Sequence, residues 1–129
     1  MFFKSNKLGI IWSLVIIVIC IVPGSNDPGM SFLNSLGVDK VIHGFIHLVL
    51  VNTLVSGLLK QTTFFLTKGK AFFIALLYSL LLGLLIEIVQ SKFILGRSGD
   101  VYDILANAIG AIVGVLLHSK LQRFKVFKA

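Results

Sequence analysis

The chain carries a single cysteine, Cys20, in 129 residues. One thiol can close no intrachain disulfide and build no cysteine-based metal site. Ile17-Val18-Ile19 stand before it where a lipoprotein signal requires small residues, so Cys20 reads as a lipid-facing or packing residue. Charge is also scarce: charged residues make up 13% of the chain, against about 25% in a soluble domain. Acidic residues are scarcest, five against twelve lysines and arginines, for a formal net charge of +7. Such a balance suits a nucleic-acid surface when the cations share a face with stacking aromatics. Here they flank apolar blocks instead, which excludes nucleic acid as an expected partner. The chain also lacks a nucleophile signature around any serine, an internal repeat and a low-complexity tract.

Apolar sequence is what the chain has in quantity. Hydrophobic residues are 57% of it and mean hydropathy is +0.99. They come in long blocks between short polar stretches, the pattern of a polytopic membrane protein. A span takes about 20 residues, so residues 1–129 hold one domain of four helices and little else. The blocks run over about Leu8–Val22, Val38–Leu59, Ala71–Ser91 and Val101–His118. The first is short, with Phe2, Phe3 and Trp12 placed to extend it or anchor it at the interface. Lys4 and Lys7 before a compact apolar core also fit a cleaved signal peptide, but no small-x-small site follows, so a retained helix is expected. Pro23 and Gly24 end it. Ser25–Gly37, Lys60–Lys70 and Lys92–Asp100 read as loops, and Lys120–Ala129 as a basic tail suited to an anionic leaflet. The expected fold is an all-α integral membrane four-helix bundle.

Lysine and arginine placement sets its orientation. Lys4, Lys7, Lys60, Lys68, Lys70, Lys120, Arg123, Lys125 and Lys128 fall on one side, and Lys40, Lys92 and Arg97 on the other. The richer side is expected in the cytoplasm, together with both termini.

Five polar residues stand a few positions inside the block ends: His43, Glu87, Gln90, Asp103 and Asn107. A charge at the centre of a membrane helix costs about 2.5–3.5 kcal/mol on insertion scales, so several together point to a site. Asp39, His43 and His47 recur every fourth residue and form a drifting stripe. Glu87 and Gln90 share one face of the third block, and Asp100, Asp103 and Asn107 one face of the fourth. All fall toward the outer side, where three helices can gather them into a pocket open extracytoplasmically. Plainer roles exist for each. Asp39 or Asp100 can cap the helix it begins, and Lys40 can snorkel to headgroups. His47 can bond a backbone carbonyl, Glu87 can pair with Arg97, and Asp103 and Asn107 can join helices. His118, at the cytoplasmic end, is expected to be interfacial and uninvolved. Gly110 and Gly114, with Ala106 one turn above, form a small-residue stripe for close helix packing.

Three motifs in this order resemble the VanZ-like family of small bacterial membrane proteins. They are Asp39-Lys40-Val41-Ile42-His43, then Glu87-Ile88-Val89-Gln90, then the stretch from Gly96-Arg97-Ser98-Gly99-Asp100 through Asp103 and Asn107 to Gly110. The resemblance covers about Asp39 to Gly114. It implies that His43, Glu87, Gln90, Arg97, Asp103, Asn107 and Gly110 occupy the family's signature positions; Asp100 and His47 are not carried over. It also implies a bacterial plasma membrane and the cell envelope. The family is named for a protein linked to resistance to the glycopeptide teicoplanin.

Two functions of different class follow. In the first, the protein acts on a lipid-linked or envelope substrate at the outer leaflet. His43, Glu87 and Asp103 are the candidate catalytic residues, with Glu87 or His43 as general base. Asp39, Lys40, Gln90, Arg97 and Asn107 are the candidate binding residues, Arg97 gripping a phosphate or carboxylate. A metal-dependent version would use His43, Glu87 and Asp103, but His43-Gly44-Phe45-Ile46-His47 lacks the glutamate of a zinc-protease helix. No metal and no cofactor are expected. In the second, the protein is a non-catalytic accessory or scaffold whose partners are membrane lipids, a lipid-linked envelope precursor or a second copy of itself. A proton-coupled transporter is a third, weaker reading, because the polar groups gather on one side.

Overall fold

A computed structural model describes residues 1–22, 28–62, 65–94, 99–125 and 127–128. Among these residues there are helices and no strand. The elements are α1 (Phe2–Ser5), α2 (Lys7–Ile21), α3 (Pro28–Ser35), α4 (Val38–Lys60), α5 (Lys68–Phe93) and α6 (Val101–Leu121). The four apolar blocks become α2, α4, α5 and α6. Two short helices lie outside them. α1 continues the first block toward the N-terminus, and α3 occupies part of the stretch read as a loop. Pro28 opens α3 at the one helical position where a missing N–H and a fixed φ cost nothing.

A hydrocarbon core of about 30 Å takes about 20 helical residues. With 23, 26 and 21 residues, α4, α5 and α6 are long and apolar enough to cross it; α2 is a shorter apolar helix. Side chains close two of the helix starts. Thr67 accepts from the Lys70 N–H at 3.4 Å to begin α5. Asp100 accepts from the Tyr102 N–H at 2.8 Å to begin α6. Gly37, at φ +78°, takes the left-handed turn between α3 and α4 that other residues avoid.

α4 is the central helix: 67% of its apolar window is buried inside the protein, against 33% for α5 and for α6. Lipid tails are as apolar as leucine, so the hydrophobic effect does not press spans together and close packing must. α4 and α6 achieve it through glycine. A side chain at Gly110 would overlap the Gly44 backbone, and one at Gly114 would meet the Leu48 carbonyl at 2.9 Å. The small-residue stripe read from the sequence is therefore the α4–α6 seam. Around it lie two apolar clusters. Ile16, Cys20, Ile46, Leu50, Leu82 and Ile86 join α2, α4 and α5, and Val51, Val55, Leu58, Ala71, Ala75 and Ala111 join α4, α5 and α6. Trp12 packs against the first cluster and donates its indole N–H to the Ile46 carbonyl at 2.9 Å. It anchors α2 to α4, not to an interface. Outward, the helices carry bare apolar side chains such as Val41, Phe45, Phe73, Leu85, Ile109 and Leu116.

Gly110→Leu is expected to break the seam, since backbone cannot move aside as a flexible side chain can. Overpacking of a tight contact costs about 1–3 kcal/mol, and this substitution belongs at the upper end. Gly69→Ala, where nothing lies within 4 Å, serves as the control. Thermal unfolding of the two variants in detergent checks the difference.

Candidate functional site

The polar residues of α4, α5 and α6 converge at the end of the bundle where α4 and α6 begin and α5 finishes. Lys40 is the centre. Its ammonium donates to Asp39 at 3.3 Å, to Asp100 at 2.5 Å and, closest, to Asp103. These three carboxylates come from the first turn of α4 and the cap and first turn of α6. Asp100 and Asp103 are one helical turn apart, so one ammonium reaches both. Lys40 thus turns inward to carboxylates instead of snorkelling to headgroups. Asp39 caps nothing: the N-cap of α4 is Gly37 and no side chain bonds it.

Beneath Lys40 lies His43. Its Nε2 stands 3.6 Å from Asp39 and 3.7 Å from Asp103, and its Nδ1 is 3.1 Å from the Asn107 carbonyl oxygen. The Asn107 amide fits where α5 has no side chain; a Cβ on Gly83 would come within 2.8 Å of Asn107 Nδ2. Glu87 enters from α5. One of its carboxylate oxygens accepts the Asp100 N–H, a donor at the helix start that has no partner within α6. The chain approaches closely enough because residue 99 is glycine: a Cβ there would meet Ser91 Cβ at 2.8 Å. Glu87 therefore ties α5 to the α6 N-terminus. Its other oxygen is buried and has no hydrogen-bond partner among the described residues.

The cluster is graded in exposure. The side chains of Lys40, Asp39 and Asp100 are 30–36% accessible, whereas His43, Glu87, Asp103 and Asn107 are buried. Asp100, which stands before the α6 span, has its carboxyl held below the ordinary aspartate range. The hydrogen bond from Lys40 is the main cause and the Tyr102 N–H the next.

Of the expected site residues, the structure gathers Asp39, Lys40, His43, Glu87, Asp103 and Asn107. Gln90 does not join them. It points to α2, donating to the Cys20 carbonyl near that helix's C-terminal end at 2.8 Å. Arg97, the expected partner of Glu87, lies outside the described residues. Asp100, read as sharing a face with Asp103 and Asn107 or as a cap, is both the α6 cap and a partner of Lys40. Its spacing to Asp103 already carried that signal.

Two further polar contacts lie deeper. His47 bonds the Ser79 hydroxyl at 2.7 Å. At the far end His118, expected at an interface, is fully buried; it meets the Asn52 carbonyl oxygen at 3.1 Å, Gln122 at 2.9 Å and the edge of Phe72. Asp103, Asn107, Gly110, Gly114 and His118 recur every third or fourth residue, a single buried stripe that shows His118 in the sequence once the helix is followed to its end. A cavity of about 170 Å³ between α1, α2, α4 and α5 is lined by Phe2, Ile10, Leu54, Leu58 and Ala75 among others. It is apolar and belongs to that far end, away from the charges.

Acid should loosen the rim. Because Asp100 is depressed in the folded state, its contribution is present above the unfolded value of about 3.9 and is lost as pH falls through the lower folded value. Thermal unfolding between pH 6 and pH 3 is expected to show a steeper acid loss in the wild type than in Asp100→Asn, which has no carboxyl to protonate.

A family model described as VanZ/LLP1 matches residues 9–123. No curated protein matches the chain, and no solved structure does.

Proposed function

The chain belongs to the VanZ/LLP1 family, and on that premise we propose that its charged cluster binds or acts on a lipid-linked or cell-wall-related ligand at the extracytoplasmic face of a bacterial plasma membrane. Both termini are cytoplasmic in this reading, with α2, α4, α5 and α6 as the four spans. The grading of the cluster carries it: a solvent-reaching rim of Lys40, Asp39 and Asp100 above a buried floor of His43, Glu87, Asp103 and Asn107. A rim that reaches solvent, set above a buried floor, gives a polar ligand a way in that a network merely joining helices does not need. A ligand bearing phosphate and sugar hydroxyls meets Lys40, with Arg97, close before Asp100 in the sequence, as a bidentate phosphate donor. Glu87 or His43 is the base within the floor, Asp103 and Asn107 orient the imidazole, and Asp39 holds Lys40. Gln90, engaged with α2, is left out of the ligand set. With no nucleophilic serine or cysteine signature, an activated water or a substrate hydroxyl does the attacking if a bond is made.

The second reading is an accessory or scaffold protein. It is favoured by how many of these polar atoms already bond to one another across α4, α5 and α6. Glycopeptide resistance is a consequence that either reading allows, through altered wall precursors or altered antibiotic access.

Mass spectrometry of envelope lipids and wall precursors separates the two readings. Cells carrying the wild type are expected to shift one species relative to cells lacking the protein, and cells with Glu87→Gln at equal membrane abundance are expected not to. Equal profiles in all three leave the scaffold reading. Teicoplanin susceptibility of the same strains reports the resistance link. Orientation has its own check: a membrane-impermeant maleimide added outside intact cells should label Ser35→Cys and spare Lys128→Cys. Cys20 is buried and contributes little background.

A further inference from the structure

The contacts of Lys40 leave one part of the cluster unbalanced. Its ammonium takes Oδ2 of Asp39, Oδ2 of Asp100 and Oδ1 of Asp103. The remaining oxygens, Oδ1 of Asp39 and Oδ2 of Asp103, face His43 Nε2 at 3.6 and 3.7 Å, beyond hydrogen-bond reach. On the other side of the ring, Nδ1 meets the Asn107 carbonyl oxygen at 3.1 Å. That oxygen only accepts, so Nδ1 carries the proton. In the neutral ring Nε2 then presents a lone pair to two carboxylate oxygens, and three acceptors face one another without a donor. Charge repeats the imbalance. Asp39, Glu87, Asp100 and Asp103 are four carboxylates, and Lys40 is the one lysine or arginine paired with any of them among the described residues. Glu87 is an independent sign. It is 5% exposed, its electrostatic neighbours are Asp103, His43 and Asp100, and its Oε2 has no hydrogen-bond partner among the described residues.

We propose that Asp39 Oδ1, His43 Nε2 and Asp103 Oδ2 form a binding site for a divalent transition-metal cation of the zinc or manganese class. The proposal rests on reading this cluster as a ligand site, and it names the ligand's inorganic part. The three donor atoms lie within 4.8 Å of one another. Two donors each about 2.1 Å from a common ion, at a tetrahedral angle, stand about 3.4 Å apart, so the two separations from His43 Nε2, 3.6 and 3.7 Å, need close by only a few tenths of an ångström. One imidazole with carboxylate oxygens suits zinc, manganese or ferrous iron. Asn107 is the outer partner that fixes a metal-bound imidazole in its tautomer, and Lys40 does the same for both carboxylates. Three protein ligands leave positions open for water or for a phosphate oxygen of the ligand proposed above. The expected ligand set differs from the one a sequence reading offers: Asp39 takes the place of Glu87.

Full-length protein in lipid nanodiscs, stripped with chelator and equilibrated with Mn²⁺ or Zn²⁺ alone, tests this. Elemental analysis is expected to find about one ion per chain, and pulsed electron paramagnetic resonance of the manganese form to show coupling to an imidazole nitrogen. His43→Gln should abolish the nitrogen coupling. Asn107→Leu should weaken binding about 10–100-fold. His47→Gln, whose imidazole bonds Ser79, should change neither. If His43→Gln does not accumulate, the nitrogen coupling of the wild type decides alone. A wild type that holds no stoichiometric metal, or holds it without nitrogen coupling, overturns the site. Bound metal with no change in envelope lipids keeps the site and removes the ligand reading, and a lipid shift without bound metal does the reverse.

Discussion

The absence of a side chain at Gly110 governs this structure. It lets the α6 backbone lie against the Gly44 backbone of α4. Helices held apart by ordinary side chains run about 8–10 Å between axes, and short acidic and amide side chains do not bridge that gap well. Asp103 and Asn107 are short. They reach Lys40 and His43 because the glycine seam brings the two helices together one and two turns away. The seam is thus both the packing contact that replaces the hydrophobic effect in lipid and the device that assembles the charges.

α5 is placed by a different rule. Its buried carboxylate, Glu87, seeks the unpaired backbone donors at the start of α6, where the helix dipole favours negative charge. The close approach at Gly99 makes the contact possible. A third helix is therefore recruited by polar chemistry, while its apolar face completes the core around Leu82 and Ile86. α2 joins last, through the Trp12 indole and through Gln90 at its C-terminal end.

Among α4, α5 and α6 the buried histidines and carboxylates divide into two kinds. His47 with Ser79, and His118 with Asn52 and Gln122, each close on their own partners and carry no fixed charge. They satisfy polar atoms inside an apolar bundle, as burial demands. The cluster around Lys40 does not close. It holds more acceptors than donors, reaches solvent at its rim and keeps one Glu87 oxygen unpaired. That excess is what supports reading the cluster as a ligand site.

The order of elements was legible in the sequence because hydropathy has a strong, local signal: a membrane span needs about 20 apolar residues in a row. The membership of the polar cluster was legible in large part too, since charges inside such runs are costly and helical periodicity tells which share a face. Asp39, His43, Asp103 and Asn107 came together as their spacing implied. α3 hid in a stretch rich in turn-forming residues, and His118 hid at a helix end, where exposure is the usual outcome. Pairing was not legible. That Lys40 turns inward to three aspartates, that Gln90 leaves for α2, and that Glu87 meets a backbone N–H are decisions between helices. They depend on rotations and crossing distances that no single helix specifies. Sequence by itself determined the helices and the faces on which charge would lie; tertiary packing decided which charges meet, because a contact across two helices is set by the surfaces of both.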